Sequence, residues 1–173
     1  DVQVGAHFRF RNRVVNADGF YDGAGTYRIR FMPDEPGEWS YTTFSNVPAL
    51  DAKTGVFTAS APSKGNHGPV TVKYTTHFGY ADGTPYVPFG TTSYAWIHQG
   101  DALENETLHT LQTAPFNKMR MCVFPKHYTY NENEPAYYPF PRSAAGENDY
   151  SRFNPEFFQH LEKRVRDLEN LGV

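Results

Sequence analysis

Ten residues, 116–125 (FNKMRMCVFP), constrain the fold more than any other stretch of this chain. Phe116, Met119, Met121, Val123 and Phe124 are strongly apolar, Cys122 is a softer sixth, and Arg120 sits in their midst. Pro115 precedes the run, and Pro125 with a polar segment follows it. A short apolar run bounded by prolines predicts a strand buried on both faces. Amphipathic helical patterns flank it at roughly 101–114 and 154–172. Strands alternating with helices predict βαβ units and a parallel sheet. On such a strand Lys118, Arg120, Cys122 and Phe124 share one face, and Met119, Met121 and Val123 the other. A charge on a buried strand is costly unless paired, so Arg120 is expected to meet a carboxylate from elsewhere in the fold.

The totals narrow the function classes. Sixteen basic against nineteen acidic residues leave a formal charge of -3, which gives no reason to propose nucleic acid or an anionic membrane as partner. No apolar run approaches the ~20 residues of a membrane span. Cys122 is the only cysteine, so no disulfide within the chain is possible and the redox compartment stays open. The chain opens on DVQVGAHF, inside a strand-like pattern and without a leader, so a start lost upstream is expected. Cytoplasmic localisation is favoured over secretion, and the oligomeric state is left open.

Residues 1–65 alternate apolar and polar positions in short strands. Tyr27, Ile29 and Phe31 point one way and Arg28 and Arg30 the other; Trp39, Tyr41 and Thr43 repeat the pattern. Turn clusters at 19–25 and 33–37 separate the strands, which predicts an antiparallel sandwich. No titratable groups converge there. Asp22 among three glycines reads as a turn residue rather than a calcium ligand, and His7 as a surface histidine. The Pro/Gly/Ser stretch 61–69 marks a boundary, with a first domain at 1–65 and a second at 66–173. In the second, Asp82-Gly83 predicts a hairpin, residues 86–98 a strand ending in aromatics and His98, and Asp101 a helix cap ahead of Leu103, Thr107, Leu108 and Leu111. After a long loop, Asn154 caps a helix with Pro155 at its first position, Phe157, Phe158, Leu161, Val165, Leu168 and Leu171 form its apolar stripe, and Gly172 stops it. Two parallel strands and two helices cannot close their own edges, so this chain is expected to be a fragment of a larger protein.

Three stretches, GFYDGAGTYRIRFMPDEPGEWSY, NHGPV with HFGYADGTPYVPFGTTSYAW, and PFNKMRMCVFPKHY, together resemble a family of bacterial glycoside-hydrolase-like proteins. The resemblance implies an N-terminal immunoglobulin-like sandwich followed by a (β/α)8 TIM barrel of the apiosidase-like and cellulase-like retaining kind. It implies that the sandwich at 1–65 lacks its first strand, and that 66–173 is the start of the barrel, cut after its second strand and the following helix. In that clan the second barrel strand reads Phe-Asn-x-hydrophobic-Arg, which Phe116 to Arg120 match. The family's arginine supports the catalytic nucleophile by a hydrogen bond, a role that would pass to Arg120. The catalytic acid/base and nucleophile would both lie beyond Val173, so no catalytic residue is expected within this stretch and the isolated chain is expected to be inactive.

Barrel enzymes bind substrate at the C-terminal ends of their strands. Those ends supply Tyr94, Trp96, His98, Lys126, His127 and Tyr128 as substrate-binding candidates, types suited to stacking on sugar rings and donating to hydroxyls. The plainer alternatives remain: Trp96 as packing, His98 and His127 as surface residues, Arg120 as a structural ion pair. Glu132, Glu134, Glu147 and Asp149 lie on a loop, where the ~5 Å spacing of a retaining carboxylate pair is hard to hold. No histidines show zinc spacing, and no metal or cofactor is expected. The expected function is hydrolysis of O-glycosyl bonds of an oligo- or polysaccharide by double displacement. The alternative is a non-catalytic carbohydrate-binding or structural module.

Overall fold

The computed structural model describes residues 1–125, 127 and 129–173. They form two compact units, unit 1 (Asp1–Pro85) and unit 2 (Tyr86–Val173). The division falls later than the 65/66 boundary read from the sequence.

Unit 1 opens with β1 (Val4–Phe10), β2 (Arg13–Tyr21), β3 (Tyr27–Ile29), β4 (Gly37–Ser45) and β5 (Thr54–Ala59). Every pairing is antiparallel, in the order β3-β2-β1-β4-β5. The strands expected to divide between two sheets thus make one. Its curl supplies the second layer. Flat strands ~4.8 Å apart would leave the β3 and β5 edges about 19 Å apart. Phe31, just past β3, instead meets Phe57 of β5 with ring centroids 6.4 Å apart, stacks on Phe8 at 4.0 Å and meets Trp39 edge-on at 4.9 Å. The bend falls where β2 changes partner, from β1 at Asp18 to β3 at Gly19. The apolar alternation seen in the sequence is the inner face of this curl, with Ala6, Phe8 and Trp39 buried at its centre.

The outer face holds a close approach. Gly5 is paired with Phe44, and a Cβ on Gly5 would fall 2.2 Å from the Phe44 ring. Gly5→Ala is therefore expected to cost about 1–3 kcal/mol. A thermal midpoint unchanged from wild type would show that the ring swings aside freely. Asp22 is held by Arg28 across the β2–β3 turn, in keeping with a turn role. Unit 1 ends in an antiparallel hairpin, β6 (Val70–Lys73) and β7 (His77–Tyr80). After β7, Asp82 turns back on the linker and accepts a 2.7 Å hydrogen bond from His67, which holds its carboxyl down at about 2. That contact ties the linker to the turn after β7.

Unit 2 consists of β8 (Gly90–Thr92), a 3-10 turn (Trp96–His98), α1 (Asp101–Leu111), β9 (Lys118–Arg120) and α2 (Pro155–Leu171). β8 and β9 are parallel, with Thr92 opposite Arg120. The α2 boundaries follow the sequence: the Asn154 side chain accepts from the Glu156 N–H, Pro155 takes the first position, and Gly172 ends the helix at φ 78°. For α1, Gly100 is the cap and Asp101 the first helical residue.

Three expectations need correction. β9 is short, and Lys118, Arg120 and Phe124 are exposed, because a two-stranded sheet covered by helices on one side leaves its other side open; Val123, past the strand end, is exposed too. Leu103 and Val165, expected on buried stripes, are exposed, while Glu104 and Arg164 take the buried positions. Residues 95–98 do not extend the strand. The chain folds back through a 3-10 turn, which carries Trp96, Ile97 and His98 into the core beside Leu111, Phe157 and Leu168. Among the described residues no helix is long and apolar enough to cross a membrane.

Candidate functional site: the open face of the parallel pair

The covering of β8 and β9 is one-sided. Met119, and Met121 beyond the strand, pack on the cluster formed by α1 and α2, through Leu108, Leu111, Phe157 and Leu168. Period two sends Lys118 and Arg120 to the opposite face. The ladder runs on past the strands: Ser93 N–H donates to the Arg120 carbonyl (2.9 Å), and Cys122 N–H to the Tyr94 carbonyl (2.8 Å). Tyr94 and Arg120 thus sit side by side at the C-terminal end of the pair. The Arg120 guanidinium donates to the Tyr94 hydroxyl (3.1 Å) and lies 5.3 Å from its ring centroid. Tyr94 is 40% exposed. The carboxylate expected for Arg120 is not found among the described residues. Because Arg120 is exposed, the cost that made a partner necessary on a buried strand does not arise here.

Asn117 fixes the other end of the pair. Its amide donates to the Val87 carbonyl (2.9 Å) and its oxygen accepts from the Phe89 N–H (2.8 Å). Its own N–H donates to the Phe89 carbonyl (2.9 Å). The Asn of the Phe-Asn-x-x-Arg motif is therefore a structural residue that sets the approach to β8.

The remaining candidates scatter. Trp96 is buried and donates its indole N–H to the Glu104 carbonyl (3.1 Å), which is the packing alternative. His98 is 2% exposed, stacked on Phe157 at 6.1 Å, so it is not at the surface. Neither of its ring nitrogens has a hydrogen-bond partner among the described residues. Burial pushes its pKa down, against smaller opposing effects of the Cys122 backbone and Glu104. His127 is exposed. Lys126 and Tyr128 lie outside the described residues. Beside Ser93 a hollow of about 420 Å³ opens, walled by Thr107, Thr110, Tyr130 and Asn131. There the Gln99 amide donates to Asn131 (2.6 Å) and accepts from Asn133 (2.9 Å), which ties the long loop to the end of the 3-10 turn. Two of the loop acids are engaged locally, Glu134 with Tyr138 and Arg142, and Asp149 with Ser151 and Arg152.

The strongest polar constellation lies between the helices and was not foreseen. Arg164, 1% exposed, donates from Nε to Glu104 (2.5 Å), from one terminal nitrogen to Asn105 (2.9 Å) and Asp167 (3.2 Å), and from the other to Asp101 (2.6 Å). Glu104, 0% exposed, also receives the Gly100 N–H (3.2 Å) and stands 3.0 Å from the His160 ring nitrogen. Asp101, Glu104 and His160 lie close enough together to suggest a metal site, but the guanidinium already fills the place of a cation. Burial alone would lower the Arg164 pKa; the carboxylates outweigh it and the net direction is upward. The signal was present in the spacing: 101, 104 and 105 share one face of α1, and 160, 164 and 167 one face of α2.

Comparison with known proteins adds two findings. A family model described as a domain of unknown function (DUF5060) matches residues 1–46, from the start of the chain through β4. The crystal structure of a "putative glycoside hydrolase" from Bacteroides vulgatus ATCC 8482 superposes with a TM-score of 0.95 at 46% sequence identity. The match covers 100% of this chain and 36% of the Bacteroides chain, so these residues span about a third of that protein's length. No curated protein sequence matches the chain.

Proposed function

We propose that this chain is part of a glycoside hydrolase and that the open face of β8 and β9 belongs to its substrate cleft. The observation that carries the reading is the one-sided packing of the parallel pair. In a (β/α)8 barrel the helices ring the outside and the uncovered strand face lines the interior, with the reacting groups at the C-terminal strand ends. Arg120 and Tyr94 occupy that face and that end. On this reading β8 and β9 are the first two barrel strands, with α1 and α2 as their helices. Unit 1 is the accessory module, an immunoglobulin-like domain whose two layers are the arms of one curled sheet. The name of the Bacteroides protein supports the glycosidase class, and its length leaves room for the remaining strands.

The reaction is retaining double displacement at an O-glycosyl bond of an oligo- or polysaccharide, through two carboxyls contributed from outside these residues. Arg120 places a fixed positive charge beside the nucleophile and holds it ionised. Tyr94 orients the guanidinium and offers an aromatic edge to the sugar; exposed His127 is a further sugar-binding candidate, and Lys126 and Tyr128, outside the described residues, remain candidates by residue type. Trp96 supports the face from within the core.

The test uses the full-length enzyme on aryl glycosides. Arg120→Ala is expected to lower kcat by about 10²-fold, the scale for losing one fixed charge-stabilising donor. The circular dichroism spectrum and thermal midpoint should stay those of wild type, because the side chain takes no part in the core packing of unit 2. Turnover within twofold of wild type would remove Arg120 from the catalytic machinery.

A further inference from the structure

Among the described residues, His98 is the buried side chain whose ring nitrogens make no hydrogen bond. It closes the 3-10 turn after β8, its ring nearly parallel to Phe157 of α2 (interplanar 12°). Both ring nitrogens are buried and unpartnered among the described residues. A neutral imidazole tolerates this as a flat, largely apolar filler. An imidazolium carries two N–H donors and a charge, and no described residue accepts a hydrogen bond from either ring nitrogen.

The charged groups around it decide whether protonation could be compensated. From α1 come Glu104 and, beyond it, Asp101; from α2 come His160 and Arg164; from the segment after β9 comes the Cys122 backbone. Glu104 is the natural counter-ion, but its carboxylate is already committed to Arg164, His160 and the Gly100 N–H. Protonated His160 would add repulsion. The Cys122 backbone is the remaining nearby favourable influence, and it is outweighed by burial.

We propose that His98 is an acid-sensitive lock on unit 2: neutral, it fills the core between the 3-10 turn and α2; protonated, it opens that contact. The sign follows from burial. The folded chain binds this proton less readily than the unfolded chain, whose histidine titrates near 6.5. Stability from neutral His98 is full above that pH and is lost as pH falls below it. A group that stays neutral when folded lowers the folding equilibrium constant by up to about tenfold between pH 7.5 and 5.5. The His160–Glu104 pair works the other way, strengthening when His160 is charged, so the effect must be read as a difference between variants.

The experiment is urea unfolding of the chain at pH 7.5 and 5.5, for wild type and His98→Phe, which keeps a ring against Phe157 and cannot titrate. The proposal expects wild type to lose stability on acidification relative to His98→Phe, by up to the tenfold factor above. An equal pH response in both proteins overturns it. Because the variant could fail to fold, the His98 ring is also followed by NMR in the wild-type chain. A ring that remains neutral below pH 6 while the fold persists supports the lock, and one that titrates at or above 6.5 in the folded state overturns it.

Discussion

Arg164→Ala is expected to destabilise unit 2 by about 3–5 kcal/mol, the cost of leaving a buried carboxylate without its partner. The substitution strips Glu104 of its shortest contact and leaves it at 0% exposure with one histidine and one backbone N–H. Asp101 and Asn105 lose their link to α2 at the same time. The measurement is urea unfolding followed by tryptophan fluorescence in a Trp39→Phe background, where Trp96 remains as the only indole. Trp96 is a suitable reporter because its indole N–H rests on the Glu104 carbonyl. The double variant Arg164→Met with Glu104→Leu is expected to recover much of the loss, since apolar replacements of buried pairs are often neutral. A loss below about 1 kcal/mol for Arg164→Ala would mean that the pair is weak enough to be counted with surface ion pairs.

Trp39→Ala is expected to have a comparable effect on unit 1, about 3–5 kcal/mol. Trp39 is the hub of the curled sheet and is 0% exposed. It stacks on Phe10 at 5.0 Å, receives the edge contact of Phe31, and carries the Arg13 guanidinium 5.4 Å from its ring centre. Its indole N–H donates to the Glu35 carbonyl (2.9 Å), which pins the β3–β4 connection. Alanine removes all four contacts and leaves a void that the stiff aromatic neighbours fill only in part. Calorimetry on the whole chain should show a midpoint lowered by more than 10 °C for a unit of this size. Trp39→Phe should lose less, because a ring remains for Phe10. A midpoint within a few degrees of wild type for Trp39→Ala would deny the ring its central place.

Strand and helix periodicity carried well from sequence to structure where one face is covered and the other is wet. The alternation of Tyr27 to Phe31 and of Trp39 to Thr43 marks the inner face of the curl, and the face division of Met119 from Lys118 and Arg120 holds. The α2 caps were readable because capping is local chemistry within a few residues. Two things were hidden. Burial on both faces of residues 116–125 was inferred from composition, but burial depends on how many elements surround a strand, and here one side stays open. The Glu104–Arg164 clamp was hidden because charges on a helix are ordinarily assigned to the solvent side. The chain inverts that assignment by placing Leu103 and Val165 outward. At the candidate site the adjacency of Tyr94 and Arg120 was legible once the strands were read as parallel. The withdrawal of Trp96 and His98 was not, since a single 3-10 turn reverses where they point.

The side-chain amide of Asn117 reaches across Pro88, a residue with no N–H of its own, to grip the residues on both sides of it. It serves as a surrogate peptide group in a place where the main chain cannot furnish one. Alignment of the two strands is thereby set upstream of either, by a lone side chain. Wherever Arg120 and Tyr94 come to rest at the far end, their meeting is dictated three residues before Arg120 by a carboxamide that never approaches them.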